Sequence, residues 1–185
     1  RAAIVEANSN AGADTIEFSV AGTLTPASEY QPLLSEITID GTTAPAYAGT
    51  PLIIVDGASV LDFGLTLGLF SENSEVIALE IRGCNTAGIG ISSTSFVQIR
   101  QCFLRANLDG VSVFGATGNV TIGGADGEGN VISGNTRHGI LIDSGLSDHT
   151  ISDNFIGTDP TGGTDDGNGE DGIHLVSQSN VTVGG

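Results

Sequence analysis

The chain contains no methionine and no tryptophan, and its five basic residues are all arginines, so there is no lysine. Aromatic residues make up 5% of the 185 and charged residues 15%. Two cysteines, Cys84 and Cys102, allow one disulfide or none, and two are too few to indicate a redox compartment. Five arginines against 22 acidic residues leave a net charge of −17 and a sequence pI near 4.1. A surface this acidic repels phosphate backbones, whose counterions lysine and arginine displace, so nucleic acid is excluded as a partner. Anionic membranes and polyanionic sugars are disfavoured for the same reason unless a divalent cation bridges the like charges. No run reaches the ~18 consecutive apolar residues of a membrane-spanning helix. Glycine, at 28 residues, has about twice its usual share, which disfavours long helices. A hydrophobic content of 39% and a mean hydropathy of +0.18 nevertheless exclude a disordered chain, and the length suits one domain. The first residue is Arg1, with no signal peptide, so a processed protein or an excised fragment is expected.

What the chain does have is a repeat. Asn119-Val120-Thr121-Ile122-Gly123-Gly124 returns as Asn180-Val181-Thr182-Val183-Gly184-Gly185, with Asp148-His149-Thr150-Ile151 between them and Phe96-Val97-Gln98-Ile99 before. The steps are 23, 29 and 32 residues (96 to 119 to 148 to 180). A second set, Gly88-Ile89-Gly90-Ile91, Gly110-Val111-Ser112-Val113, Gly139-Ile140-Leu141-Ile142 and Gly172-Ile173-His174-Leu175, steps by 22, 29 and 33 (88 to 110 to 139 to 172). Two sets stepping together define one unit of about 22 residues, lengthened by loops in its last copies. Each segment alternates apolar and other residues and ends at Gly, Asn or Asp, which is a short strand between turns. A third strand per unit falls at Phe103-Leu104, Val131-Ile132 and Phe155-Ile156, before Asn107, Asn135 and Asn168.

Three short strands per turn of chain predict an all-β, right-handed parallel β-helix of roughly seven coils. Earlier strands are expected over Thr15 to Val20, Ile37 to Gly41, Leu52 to Gly57, Val60 to Leu67 and Val76 to Ile81. Alignment places Leu79, Cys102, Asn130 and Asn154 in one inward column, with Cys84 in a neighbouring turn. Asparagine tolerates the left-handed turn conformation, and stacked copies can bond along a column. The chain reads as one domain: residues 1–14 an N-terminal cap with a short apolar helix, and 15–185 coils without an evident C-terminal cap. The open cycle at Gly185 points either to neighbouring repeats of a longer chain or to self-association, since an uncovered coil offers unpaired backbone groups.

These segments resemble large secreted bacterial proteins with right-handed β-helix repeats, in the pectate-lyase-like superfamily. The similarity lies in Arg1-Ala2-Ala3-Ile4-Val5-Glu6-Ala7-Asn8 with Ala13-Asp14-Thr15-Ile16-Glu17-Phe18, in Ile37-Thr38-Ile39-Asp40-Gly41-Thr42, in Asn130-Val131-Ile132-Ser133-Gly134-Asn135, and in Asn154-Phe155-Ile156-Gly157-Thr158-Asp159. It covers nearly the whole chain and concerns turn and core chemistry, which does not fix function. It implies export, a cell-surface or matrix location, and in many cases no enzymatic activity.

Three kinds of site can be weighed. Arg82 and Arg105 fall on successive coils as an outward pair, which ordinarily bonds nearby carboxylates. A glycoside-cleaving pair of carboxylates has its candidates in Asp143 with Asp148 or Asp171, and His138 and His174 are nearby. The two histidines are out of step in the repeat, because His138 precedes its glycine and His174 follows Gly172-Ile173. Calcium is the better-supported ligand. Asp166-Gly167-Asn168-Gly169-Glu170 spaces oxygen donors between glycines, with Asp159, Asp165 and Asp171 close by, and Asp126-Gly127-Glu128 is a weaker copy. A threonine column, Thr121, Thr150 and Thr182, faces outward, either ordering water or serving as strand chemistry. The functional expectation is a non-catalytic, extracellular structural or adhesive rod, with Ca2+ as its candidate cross-linker and end-to-end assembly as its candidate route to fibres. The alternative is a polysaccharide hydrolase or lyase, or a calcium-dependent glycan-binding module.

Overall fold

Apolar residues at alternate positions of each short segment can all be buried only if the chain winds around them, and that is what it does. The computed structural model describes residues 1–145, 148–178 and 180–184. Three parallel sheets run the length of the molecule, and successive strands pass from the first to the second to the third. The first holds β1 (Asp14–Glu17), β3 (Ile37–Asp40), β6 (Glu75–Ile77), β9 (Gln98–Arg100), β12 (Thr121–Gly123), β15 (Thr150–Ser152) and β18 (Thr182–Val183). The second holds β2 (Gly22–Leu24), β4 (Ile53–Asp56), β7 (Leu79–Arg82), β10 (Phe103–Arg105), β13 (Val131–Ser133) and β16 (Phe155–Ile156). The third holds β5 (Phe63–Leu67), β8 (Ala87–Ser92), β11 (Asp109–Gly115), β14 (Ile140–Ser144) and β17 (Ile173–Leu175). Because the third sheet has five strands, five coils are complete. The expected seven are matched only by the strands of the first sheet, since the outermost turns contribute one or two strands each.

The register stacks like on like. Ile39, Val76, Ile99, Ile122 and Ile151 form one inward column, and Val55, Ile81, Leu104 and Ile132 a second. Ile89, Val111 and Ile140, with Ile91, Val113 and Ile142, line the third sheet. All are buried in one continuous core, and each contributes roughly 1.5–3 kcal/mol by leaving water. The corners are held by side chains acting as backbone. Asn130 Oδ1 accepts from the Cys102 N–H, and Asn154 Oδ1 accepts from the Asn130 N–H and side-chain amide at 3.0 and 2.8 Å. At the next corner Asn107, Asn135 and Asn168 repeat the arrangement. Beside this second ladder runs a column of glycines in which no side chain fits. A Cβ on Gly110 would lie 2.5 Å from Ile132 Cγ2 and 2.6 Å from the Gly139 carbonyl oxygen.

Several expectations are corrected by tertiary structure. The apolar run Val76 to Ile81 is two strands, because buried Ala78 takes φ 53° and turns the chain from the first sheet into the second. The strand expected over Thr15 to Val20 ends at Glu17, and β2 follows where none was expected. The helix spans Ala2–Ala7 and buries Ile4 and Ala7 against the first coil. Both cysteines are free thiols, with Cys102 in the inward column beside Asn130 as expected. Arg82 and Arg105 do stack, and both bond the buried carboxylate of Glu80, while Arg82 also pairs with Asp56. The open-coil expectation at Gly185 lies outside the described residues. Among these, no helix is long and apolar enough to cross a membrane.

Candidate metal centre

The chain has three histidines, and the fold treats them differently. His149 is buried, its Nδ1 accepting from the Val120 N–H at 3.3 Å and its Nε2 lying 3.0 Å from Ser144 Oγ. Those bonds lock a corner of the coil. His138 and His174 instead meet on the outside of the last two complete coils.

His138 sits at the corner before β14, in the column formed by Ala87, Asp109, His138 and Asp171, each one residue before a glycine of the stacked series. In this column a side chain accepts the backbone N–H of the next coil. Asp109 Oδ1 accepts from the His138 N–H at 3.1 Å, and His138 Nδ1 accepts from the Asp171 N–H at 3.4 Å. Buried Asp109 is held in turn by the Arg137 guanidinium, whose Nε donates to Oδ1 at 2.9 Å. That bond, more than the opposing desolvation, raises the already high pKa of Arg137. His138 is thereby buried and fixed, while its imidazole faces outward at the rim.

His174, in the middle of β17, is paired with Leu141 of β14 and points away from the core. Its ring stacks on that of His138, with centroids 4.4 Å apart and planes at 15°. Asp171 joins the two: its Oδ2 lies 2.6 Å from His174 Nδ1 and 3.7 Å from His138 Nδ1. Glu170 approaches the other side, with Oε2 3.5 Å from His138 Nε2. His138, Asp171 and His174 each offer one donor atom within 4.8 Å of the others, and they are the one such trio of His, Cys, Asp or Glu among the described residues. Both acidic side chains are more than half exposed and His174 is 42% exposed, so these groups can turn toward an ion.

Of the five residues considered for carbohydrate chemistry, Asp171, His138 and His174 come together, while Asp148 precedes β15 of the first sheet. Asp143 lies apart from the trio, on the exposed outer edge of β14 beside Phe114. The oxygen donors considered for calcium are dispersed. Asn168 faces inward in the asparagine ladder. Asp159 accepts from Thr161, Gly163 and Thr164 of its own turn, and these bonds, the Thr161 hydroxyl first, hold its carboxyl down at about 2. Asp166 accepts from Ser133 Oγ at 2.7 Å, and the backbone of Asp165 forms an antiparallel bridge with that of Thr158. Glu170 and Asp171 belong to the histidine cluster. In the other loop Glu128 closes its own turn on the Ala125 N–H, while Asp126 is exposed. The convergence of the histidines was obscured by their being out of step, yet the 33-residue repeat places Asp171 opposite His138, and Asp171 and His174 are three apart.

Residues 57–185 match the model of the family described as NosD, periplasmic copper-binding protein. No curated protein matches the chain. Among solved structures, the A-module of the mannuronan C-5 epimerase AlgE4 of Azotobacter vinelandii is similar over 99% of this chain and 70% of that one, with 14% identity and a TM-score of 0.34.

Proposed function

We propose, from the premise that this chain belongs to the NosD family of periplasmic copper-binding proteins, that it works outside the cytoplasm as a stiff β-helical scaffold holding a copper ion at His138, Asp171 and His174. The observation that carries this reading is the meeting of two of three histidines with one carboxylate on the outer surface, in a chain of net charge −17. Imidazole and carboxylate are donors that copper accepts, so the residues present fit the ion. Copper here is cargo, and what it supplies is its own charge and coordination. The chain's part is to position the donors. Asp109 and the 137–139 backbone fix His138, while Asp171 and His174, both partly exposed, turn toward the ion. The role is otherwise mechanical, since stacked coils resist unfolding through continuous ladders. Surface adhesion, end-to-end association and cross-linking of the acidic loops by Ca2+ remain part of this proposal.

Calorimetric titration of the whole chain with copper sulfate tests it. One ion per chain, with affinity falling at least about tenfold in His174→Ala, is the expected result. Absence of copper binding overturns the reading, and the same titration with calcium chloride tests the acidic loops.

One observation favours a second reading, a glycan-binding surface. A polar groove of about 450 Å3 crosses the outer face of the first sheet, lined by Glu75, Gln98, Thr121 and Thr150 with exposed Phe96 at its edge. An aromatic face beside hydrogen-bonding side chains suits a sugar ring. Retention of the chain by immobilised polysaccharide, lost in Phe96→Ala, supports that surface.

A further inference from the structure

We infer that the site formed by His138, Asp171 and His174 takes copper in its divalent form and discriminates against the monovalent one. This rests on the copper reading above and adds the oxidation state of the ion to it.

Every donor within reach is nitrogen or oxygen. Asp171 Oδ2 stands 2.6 and 3.7 Å from the two Nδ1 atoms, and Glu170 Oε2 stands 3.5 Å from His138 Nε2. Two imidazoles and the Asp171 carboxylate, with Glu170 beside them, form the mixed N,O set that Cu(II) favours, whereas Cu(I) is selected by thiolate and thioether sulfur. The chain supplies no such sulfur there. It has no methionine, and Cys84 and Cys102 are buried within the coils, where burial pushes both thiols up to about 12. Charge balance agrees, because Asp171 and Glu170 neutralise a dication and overcompensate a monocation.

The experiment compares both ions on the full chain. Cu(II), added as the sulfate, is measured by competition with a chromophoric chelator. Cu(I) is measured without oxygen, in ascorbate, against bicinchoninate. The expected result is a dissociation constant for Cu(II) at least about tenfold below that for Cu(I), and an axial electron paramagnetic resonance spectrum with coupling to two nitrogens. His174→Ala, at an exposed position, should reduce this coupling to one nitrogen, and Asp171→Asn should weaken Cu(II) binding with the fold intact by circular dichroism. Cu(I) held as tightly as Cu(II) or more so overturns this inference and leaves the copper site standing. Failure to bind either ion, or Cu(II) binding indifferent to both substitutions, overturns the site and the inference together.

Discussion

Replacing Asn135 by alanine removes the centre of a ladder that ties three coils together. Its Oδ1 accepts from the Asn107 N–H at 3.1 Å and from Asn107 Nδ2 at 3.3 Å, and its Nδ2 donates to the Leu104 carbonyl at 3.1 Å and to Asn168 Oδ1 at 2.9 Å. Asn107 and Asn135 are each 1% exposed, so water cannot take over these bonds without opening the coil. An orphaned buried N–H costs roughly 1–3 kcal/mol, and each of the two donated bonds contributes about 1 kcal/mol. The expected loss is therefore about 3–5 kcal/mol. At roughly 2–4 °C per kcal/mol for a chain of this size, the thermal midpoint should fall by about 10 °C. Stacked repeats can open locally before they unfold globally, so hydrogen exchange at the Asn107 amide is the sharper assay. Exchange there should accelerate in Asn135→Ala, while the outward-facing Thr121→Ala leaves it unchanged. A loss under about 0.5 kcal/mol, the range of ordinary surface substitutions, with Asn107 exchange unaltered, would refute the claim that side-chain ladders hold the corners.

Three further outcomes follow from the same geometry. Gly110→Ala places a methyl group 2.5 Å from Ile132 Cγ2 and 2.6 Å from a carbonyl oxygen, so a loss of about 1–3 kcal/mol in urea unfolding is expected, and a neutral result would mean the coils can spread apart. Arg137→Ala leaves the fully buried Asp109 carboxylate without its cation. Breaking a buried pair costs about 3–5 kcal/mol; partial exposure of Arg137 brings this to about 2–4 kcal/mol, and Asp109→Asn in the same chain should recover part of it. Burial raises both cysteine thiols to about 12, so the unfolded chain releases those protons first. The stability the thiols contribute is complete below about pH 9 and drains away between about pH 9 and 12. Iodoacetamide at pH 8 should accordingly label neither thiol before unfolding, and rapid labelling of the native chain contradicts their burial.

The architecture was legible because one signal was repeated. Alternation within Gly139-Ile140-Leu141-Ile142 and its copies specified strands, and their common steps specified stacking, so the register of Thr121 with Thr150 and Thr182 followed from counting. Corners were legible where asparagine marked them and obscure where it did not. Ala78 turns the chain with φ 53° because packing between the first and second sheets fixes it there, and nothing in Val-Ile-Ala-Leu announces a left-handed residue. The candidate site was half visible. His138, His174 and Asp171 stood out by type, but linear order separated what the winding brings together. Asn168 shows the opposite case: its glycine-flanked setting suggested a cation ligand, while its position one coil beyond Asn135 commits its oxygen to the ladder.

The central claim is that two histidines from successive coils share one copper ion with Asp171. Crystals of the chain grown with copper sulfate, measured on either side of the copper absorption edge, test it directly. The account predicts an anomalous peak within about 2.0–2.2 Å of a ring nitrogen of both His138 and His174 and of an Asp171 oxygen, distances typical of such metal ligands. A peak confined to the acidic loop around Asp165 and Asp166, or an empty histidine pair in crystals that hold copper elsewhere, would contradict it.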